Sequence, residues 1–106
     1  MGTTYLFNTT IIPNTGIFNV EKISEEQVKN LTKNEFTSAI GHESTAKVFS
    51  ILLEKEVSVN RIHAELGCLD KAVCLKIKGR LPEGKILTID DIKEIGYEFF
   101  LIERID

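Results

Sequence analysis

The run Tyr97-Glu98-Phe99-Phe100-Leu101-Ile102-Glu103 constrains this chain most. Aromatic and β-branched residues dominate it, and as a strand it carries apolar side chains on both faces. Such a strand is covered from both sides, which places it inside a sheet rather than at a half-solvated edge. The expectation is an α/β domain in which residues 97–103 form an inner strand.

The rest of the chain supplies its neighbours. Thr4-Tyr5-Leu6-Phe7-Asn8-Thr9-Thr10 has strong β character and predicts a first strand over 4–10, extended by Ile11-Ile12. Pro13-Asn14-Thr15-Gly16 reads as a turn and residues 16–22 as a second strand, so the two should form a hairpin. Ser24 with Gln27 fits a capping box, predicting a short helix from about residue 25 to 30–33. Residues 35–39 are extended. Ala46, Phe49, Leu52 and Leu53 recur at helical spacing and put one apolar stripe on a helix over 42–54, with Glu43 in its first turn. Residues 60–66 and 71–78 both alternate in polarity around Gly67-Cys68-Leu69-Asp70, which predicts a second hairpin with one core face and one polar face. Arg80–Lys85 is a polar loop. Thr88 with Asp91 caps a helix over 89–95, ended by Gly96. The sum is one mixed sheet of about five strands with two or three helices, in a single domain over residues 1–106.

With 42% hydrophobic residues among 106, the chain can close one core, and wholesale disorder is excluded. No apolar run approaches the ~20 residues that cross a bilayer. Met1-Gly2-Thr3-Thr4-Tyr5 lacks the basic and apolar regions of a secretory leader, and Leu6 stands where a myristoylation signal has Ser or Thr. The formal charge of −3 argues against coating long nucleic acid, while leaving room for a small anion in a local basic pocket. Cys68 and Cys74 are too few for a disulfide framework and form no Cys/His quartet for zinc. They read as ordinary small apolar residues in a reducing cytoplasm.

His42 is the most informative single residue. It follows Gly41 at the opening of a helix, where unpaired N–H groups and the dipole suit a phosphate. An imidazole there can donate or accept a proton near neutral pH. The plain alternative is a surface histidine in a capping turn. Gly79-Arg80-Leu81-Pro82-Glu83-Gly84-Lys85 is a second candidate: Arg80 suits bidentate phosphate recognition, Glu83 could orient Arg80 or His42, and Lys85 adds charge. A solvated charged loop is the alternative, and the glycine spacing is not that of a Walker A motif. Arg61 and His63 lie on the polar face of a predicted strand and could grip phosphate or stack on a base, or could simply be solvated beside Glu65. Asn8, Thr9 and Thr10 offer neutral donors at the end of the first strand. No carboxylate constellation suggests a metal, so phosphodiester cleavage, if this chain performs it, should need none.

Taken together, these strings resemble the viral anti-CRISPR ring nucleases that oppose type III CRISPR defence, a family with further members in bacterial mobile elements. The resemblance covers nearly the whole chain: Tyr5–Thr10, Ser38-Ala39-Ile40-Gly41-His42-Glu43-Ser44-Thr45, Val59-Asn60-Arg61, Gly79–Thr88 and Gly96-Tyr97-Glu98-Phe99-Phe100. It implies binding of cyclic tetra-adenylate and its cleavage into linear di-adenylates. The family's histidine, arginine and glutamate fall on His42, Arg80 and Glu83, and a ligand-binding arginine on Arg61. Asn8, Thr10, Gly41 and Lys85 are further expected ligand contacts. One departure stands out: where some members have a ligand-touching serine near the end of the first strand, this chain has Ile11, so Thr10 or Asn8 is expected to substitute.

The implied chemistry suits these residues. Each ribose 2′-hydroxyl lies beside its own 3′-phosphate, so attack is intramolecular and no metal or other cofactor is required. Arg80 and the N–H groups beside His42 would stabilise charge on the phosphoryl oxygens, and His42 would protonate the leaving 5′-oxygen. The two-fold symmetry of the ring predicts a homodimer with the ligand at the interface and a lid drawn from residues 13–16 or 80–85. Two other readings stay open: a non-catalytic module that sequesters a cyclic oligonucleotide or regulates transcription, and a DNA-binding protein, which the net charge disfavours.

Overall fold

Two reciprocal capping boxes set the register of the short helices. The Ser24 hydroxyl accepts the Gln27 N–H at 3.2 Å while Gln27 Oε1 accepts the Ser24 N–H at 2.9 Å, opening α1 (Glu25–Leu31). Thr88 and Asp91 repeat the arrangement at 3.3 and 3.1 Å, opening α3 (Ile89–Ile95). Each cap contributes about 1 kcal/mol, which matters for helices too short to persist alone. The 11-residue α2 (Glu43–Leu53) instead depends on its stripe: Ala46, Phe49, Leu52 and Leu53 are all buried.

The protein is described by a computed structural model over residues 2–8, 14–62, 64–80 and 86–106. Five strands, β1 (Thr4–Phe7), β2 (Phe18–Ile23), β3 (Thr37–Ser38), β4 (Lys71–Ile77) and β5 (Tyr97–Arg104), form one sheet in the order β2-β5-β4-β1-β3. β1 runs parallel to both β3 and β4, whereas β5 runs antiparallel to β4 and β2. The architecture is the mixed α/β sheet with three helices that the sequence predicts. β5 is an inner strand, with Phe99 and Leu101 facing one side and Ile102 the other.

The two faces of the sheet are covered differently. Val28 of α1, Ile92 of α3 and the α2 stripe pack on Leu6, Val73, Leu75, Phe99 and Leu101. On the opposite face, Phe7, Ala72, Cys74 and Ile102 pack with Ala64 and Leu66, which belong to no regular element. That covering segment is held by its backbone. The Asn14 side chain donates to the Leu66 carbonyl and accepts the Leu66 N–H, both at 3.0 Å, and Arg104 donates to the same carbonyl at 2.8 Å. Asp70 closes the next turn by accepting the N–H groups of Gly67 at 2.7 Å and Thr3 at 2.8 Å.

Several sequence expectations are corrected. β1 and β2 do not form a hairpin: parallel β3 and β4 occupy both edges of β1, and β2 pairs with β5 at the far side of the sheet. The hairpin over 60–66 and 71–78 is also absent, because β5 and β1 take both edges of β4. Residues 60–66 alternate for another reason. Asn60 follows β3, its N–H donating to Ile40 O at 2.8 Å, and Ala64 and Leu66 then tuck beneath the helix-free face. Ile62, expected on the core side, is 44% exposed. β4 has no polar face along most of its length, since Ala72 through Leu75 are all buried. Cys68 is exposed; Cys74 alone is a buried thiol, and burial pushes its pKa up to about 12. Residues 9–13, which would extend β1 and open the turn, lie outside the described residues, as do His63 and 81–85.

Candidate functional site

β3, β1 and β4 are parallel, so their carboxyl ends share one edge of the sheet, the place where open α/β sheets take ligands. Beyond β1 stands Asn8, beyond β3 stand Gly41 and His42, and three residues beyond β4 stands Arg80. The topology thus gathers residues that are 72 positions apart in sequence, from Asn8 to Arg80.

Hydrogen bonds tie part of this edge together. The Ala39 N–H donates to Leu6 O at 2.9 Å as a parallel ladder requires. At the next step the Gly41 N–H donates to the Asn8 side chain, Oδ1, at 3.2 Å. The Gly41 carbonyl accepts the Arg61 Nε–H at 2.9 Å. Gly41 is therefore held from both sides by two expected ligand contacts. Engaging Nε leaves the terminal nitrogens of Arg61 as the part of its fork available to an anion. Arg61 is itself placed by Asn60, whose N–H donates to Ile40 O at 2.8 Å and whose Nδ2 donates to Ser38 O at 2.8 Å. Ser38 Oγ in turn donates to Ser58 O at 2.7 Å. Residues 58–61 so run as an irregular fringe beside β3.

His42 is the N-cap of α2, with extended backbone (φ −121°, ψ 126°) and no side-chain capping bond. Its carbonyl accepts the Ala46 N–H at 3.1 Å, so it begins the helix through its backbone while its imidazole stays exposed. The first-turn N–H groups of α2 consequently lack a capping side chain from the N-cap residue and can face an anion. Glu43 in that turn forms an exposed ion pair with Lys47 at 3.7 Å, weak at ordinary salt.

Beside Arg61 lies a groove of about 520 Å³ lined by Glu43, Ala46, Lys47, Val57, Val59 and Arg61. Its volume is within the range of small-molecule sites. Its lining combines apolar Ala46, Val57 and Val59 with two cations and a carboxylate.

Of the residues expected at one site, Asn8, Gly41 and Arg61 are joined by hydrogen bonds, and His42 follows Gly41 in the chain. Arg80 is exposed at the same edge, and no hydrogen bond or ion pair joins it to His42 among the described residues. Thr10, Glu83 and Lys85 lie outside the described residues. Arg61 is not on a strand, contrary to the expectation, but on the fringe beside β3. Asn60, within the Val59-Asn60-Arg61 string, supports this arrangement through two bonds, from its N–H to Ile40 O and from Nδ2 to Ser38 O.

Residues 4–99 match the STIV B116-like family. The chain belongs to that family. ORF117 of Acidianus two-tailed virus is 34% identical over 108 residues, an alignment covering 95% of this chain and 92% of the relative. YddF of Bacillus subtilis (strain 168) is 32% identical over 102 residues, covering 93% and 94%. The solved structure of B116 of Sulfolobus turreted icosahedral virus is similar with a TM-score of 0.82 at 25% identity, over 97% of this chain and 100% of that one. The relatives of this chain thus include viral proteins as well as a bacterial one. No helix among the described residues is long and apolar enough to cross a membrane.

Proposed function

We propose that this B116-like protein is a metal-independent ring nuclease that binds cyclic tetra-adenylate and cuts it into linear di-adenylates, so opposing type III CRISPR signalling. The observation that supports this best is the Asn8–Gly41–Arg61 arrangement at the start of α2, which sets an exposed imidazole beside a fixed guanidinium and free helix N–H groups. That is the equipment needed for in-line attack by a ribose 2′-hydroxyl on its own phosphate. The nucleophile comes with the substrate, so the protein has only to fix the sugar and phosphate geometry. Arg61 and the α2 N–H groups hold the phosphate, and Arg80 adds charge as the phosphoryl oxygens become more negative. His42 gives a proton to the leaving 5′-oxygen, while the 2′-hydroxyl releases its proton to water as its oxygen displaces the 5′-oxygen and closes a 2′,3′-cyclic phosphate. Glu83 orients Arg80 or His42, with Thr10 and Lys85 as further ligand contacts. A ring with two-fold symmetry is met by two copies of the chain, so the active species is a homodimer with one His42 from each subunit.

The test is incubation with cyclic tetra-adenylate in EDTA, followed by chromatography. Linear di-adenylates are expected, lost in His42→Ala while binding persists; Arg80→Ala should weaken both binding and rate. Tight binding without turnover over hours would replace the enzyme with a sequestering module.

A further inference from the structure

The helix-free face of the sheet carries a charged cluster that the mechanism above does not use. Glu98 of β5 forms ion pairs with Lys22 of β2 at 3.3 Å and with Lys78 at 3.4 Å. Lys76 of β4 is the direct cross-strand partner of Glu98, and Lys22 is that of Phe100. Phe100 belongs to the cluster of the helix-free face, and strand alternation puts Glu98, Lys22 and Lys76 on that same face. Two ammonium groups pair with this carboxylate and Lys76 stands across the ladder from it, so the four residues carry a net charge of +2 on a chain whose formal charge is −3.

The position is as informative as the charge. Lys76 and Lys78 lie at the carboxyl end of β4, the edge that also holds Asn8 and Gly41, and Arg80 follows two residues later. From β3, which leads into α2, to β5 is three strand spacings, roughly 14 Å. The start of α2 can hold one phosphate; a ligand with several phosphates needs cations elsewhere along the same edge. Glu98 contributes by restraining two flexible lysines. The paired ammonium groups keep its carboxyl below the usual carboxylate range, so it stays charged and they stay in place. Half-buried Phe100 adds an aromatic surface beside Lys22.

We propose that Lys22 and Lys78, paired with Glu98, and Lys76, opposite Glu98 in the β4–β5 ladder, form a second anion subsite that takes a further phosphodiester of the oligonucleotide bound at the start of α2. The proposal rests on the ring-nuclease reading for its ligand. Its chemistry, phosphate recognition by a preformed lysine cluster, can be tested apart from that reading.

Opposite signs are expected from two variants. Lys76→Gln combined with Lys78→Gln should lower the affinity for cyclic tetra-adenylate at least about tenfold and make its salt dependence shallower. The rate at saturating ring should stay within about twofold. Glu98→Gln should raise the affinity, because it removes the only negative charge of the cluster. Unchanged affinity and salt dependence in both variants, with wild type binding the ring, would overturn the subsite and leave the nuclease reading intact. If wild type does not bind the ring, that reading fails, and an NMR titration with inorganic tripolyphosphate decides the subsite. Amide shifts confined to Lys22, Lys76, Lys78 and Glu98 support it; their absence removes it too.

Discussion

Asn8 Oδ1 accepts the Gly41 N–H at 3.2 Å, so a side chain occupies the place that a backbone carbonyl would hold in the next rung of the β1–β3 ladder. The bond lies where the sheet ends and the site begins, so removing it acts on both. Asn8→Ala should cost about 1 kcal/mol of stability by leaving the Gly41 N–H without its partner, and should weaken ring binding. Asn8→Asp keeps an acceptor but adds a negative charge near the phosphate. Its stability should stay close to wild type while ring affinity falls. Urea denaturation and calorimetric titration of the two variants separate the effects; equal affinity in Asn8→Asp and wild type would remove Asn8 from the ligand's surroundings.

Asn14 makes a two-way bond with the Leu66 backbone, and that bond fixes the segment covering the helix-free face. Asn14→Ala should lose roughly 1–3 kcal/mol, since both backbone groups are partly buried and lose a partner. Amide exchange at Leu66 should accelerate well before exchange in β4. Uniform acceleration across the sheet would mean that the segment does not open by itself.

Glu54 ends α2 in the left-handed region, with φ 55° and ψ 37°, and its N–H donates to Ser50 O. A glycine tolerates this conformation without the Cβ penalty. Glu54→Gly should therefore stabilise the protein by about 0.5–1 kcal/mol, a rise of a few degrees in Tm. A lower Tm would show that the longer side chain contributes more than the strain costs.

Two groups predict loss of stability in alkali. Burial pushes the Cys74 thiol from 9.0 up to about 12, and the Tyr97 hydroxyl rises from 10.0 to about 12 through burial and then its hydrogen bond to Glu25. Both folded values are raised, so the folded state holds these protons more tightly than the unfolded chain. Their contribution is whole below pH 9 and is lost progressively as pH climbs toward about 12. Denaturation midpoints should fall over that window. Cys74→Ala should flatten the part beginning near pH 9, and Tyr97→Phe the part beginning near pH 10. Under native conditions a thiol reagent should label Cys68 alone, with Cys74 reacting only on unfolding.

Local signals in the sequence were sufficient for the helices, because a capping box and an apolar stripe are written within a few residues: Ser24 with Gln27, Thr88 with Asp91, and Ala46 with Phe49, Leu52 and Leu53. Strand partners were not legible in the same way. Alternation identifies a face but not a neighbour, and proximity in sequence favoured hairpins that β1 and β4 cannot form once parallel strands fill their edges. Residues 60–66 show the limit most clearly. Their alternation reports Ala64 and Leu66 reaching under the sheet, although no ladder is present. For the site, Gly41 and His42 were legible from their place before a helix. The Asn8–Gly41–Arg61 bonds were not, since they depend on which strand ends meet.

The sheet order has a consequence for how the chain matures. β2 joins the other strands only through β5, and β1 finds its β4 partner 67 residues away, as in Thr4 opposite Lys71. At about 5–20 residues per second of synthesis, β1 waits roughly 3–13 s for that partner, and β2 waits longer still. Until residues 97–104 emerge, the nascent chain has two separate β segments with open edges, the state in which a small protein is most open to mispairing.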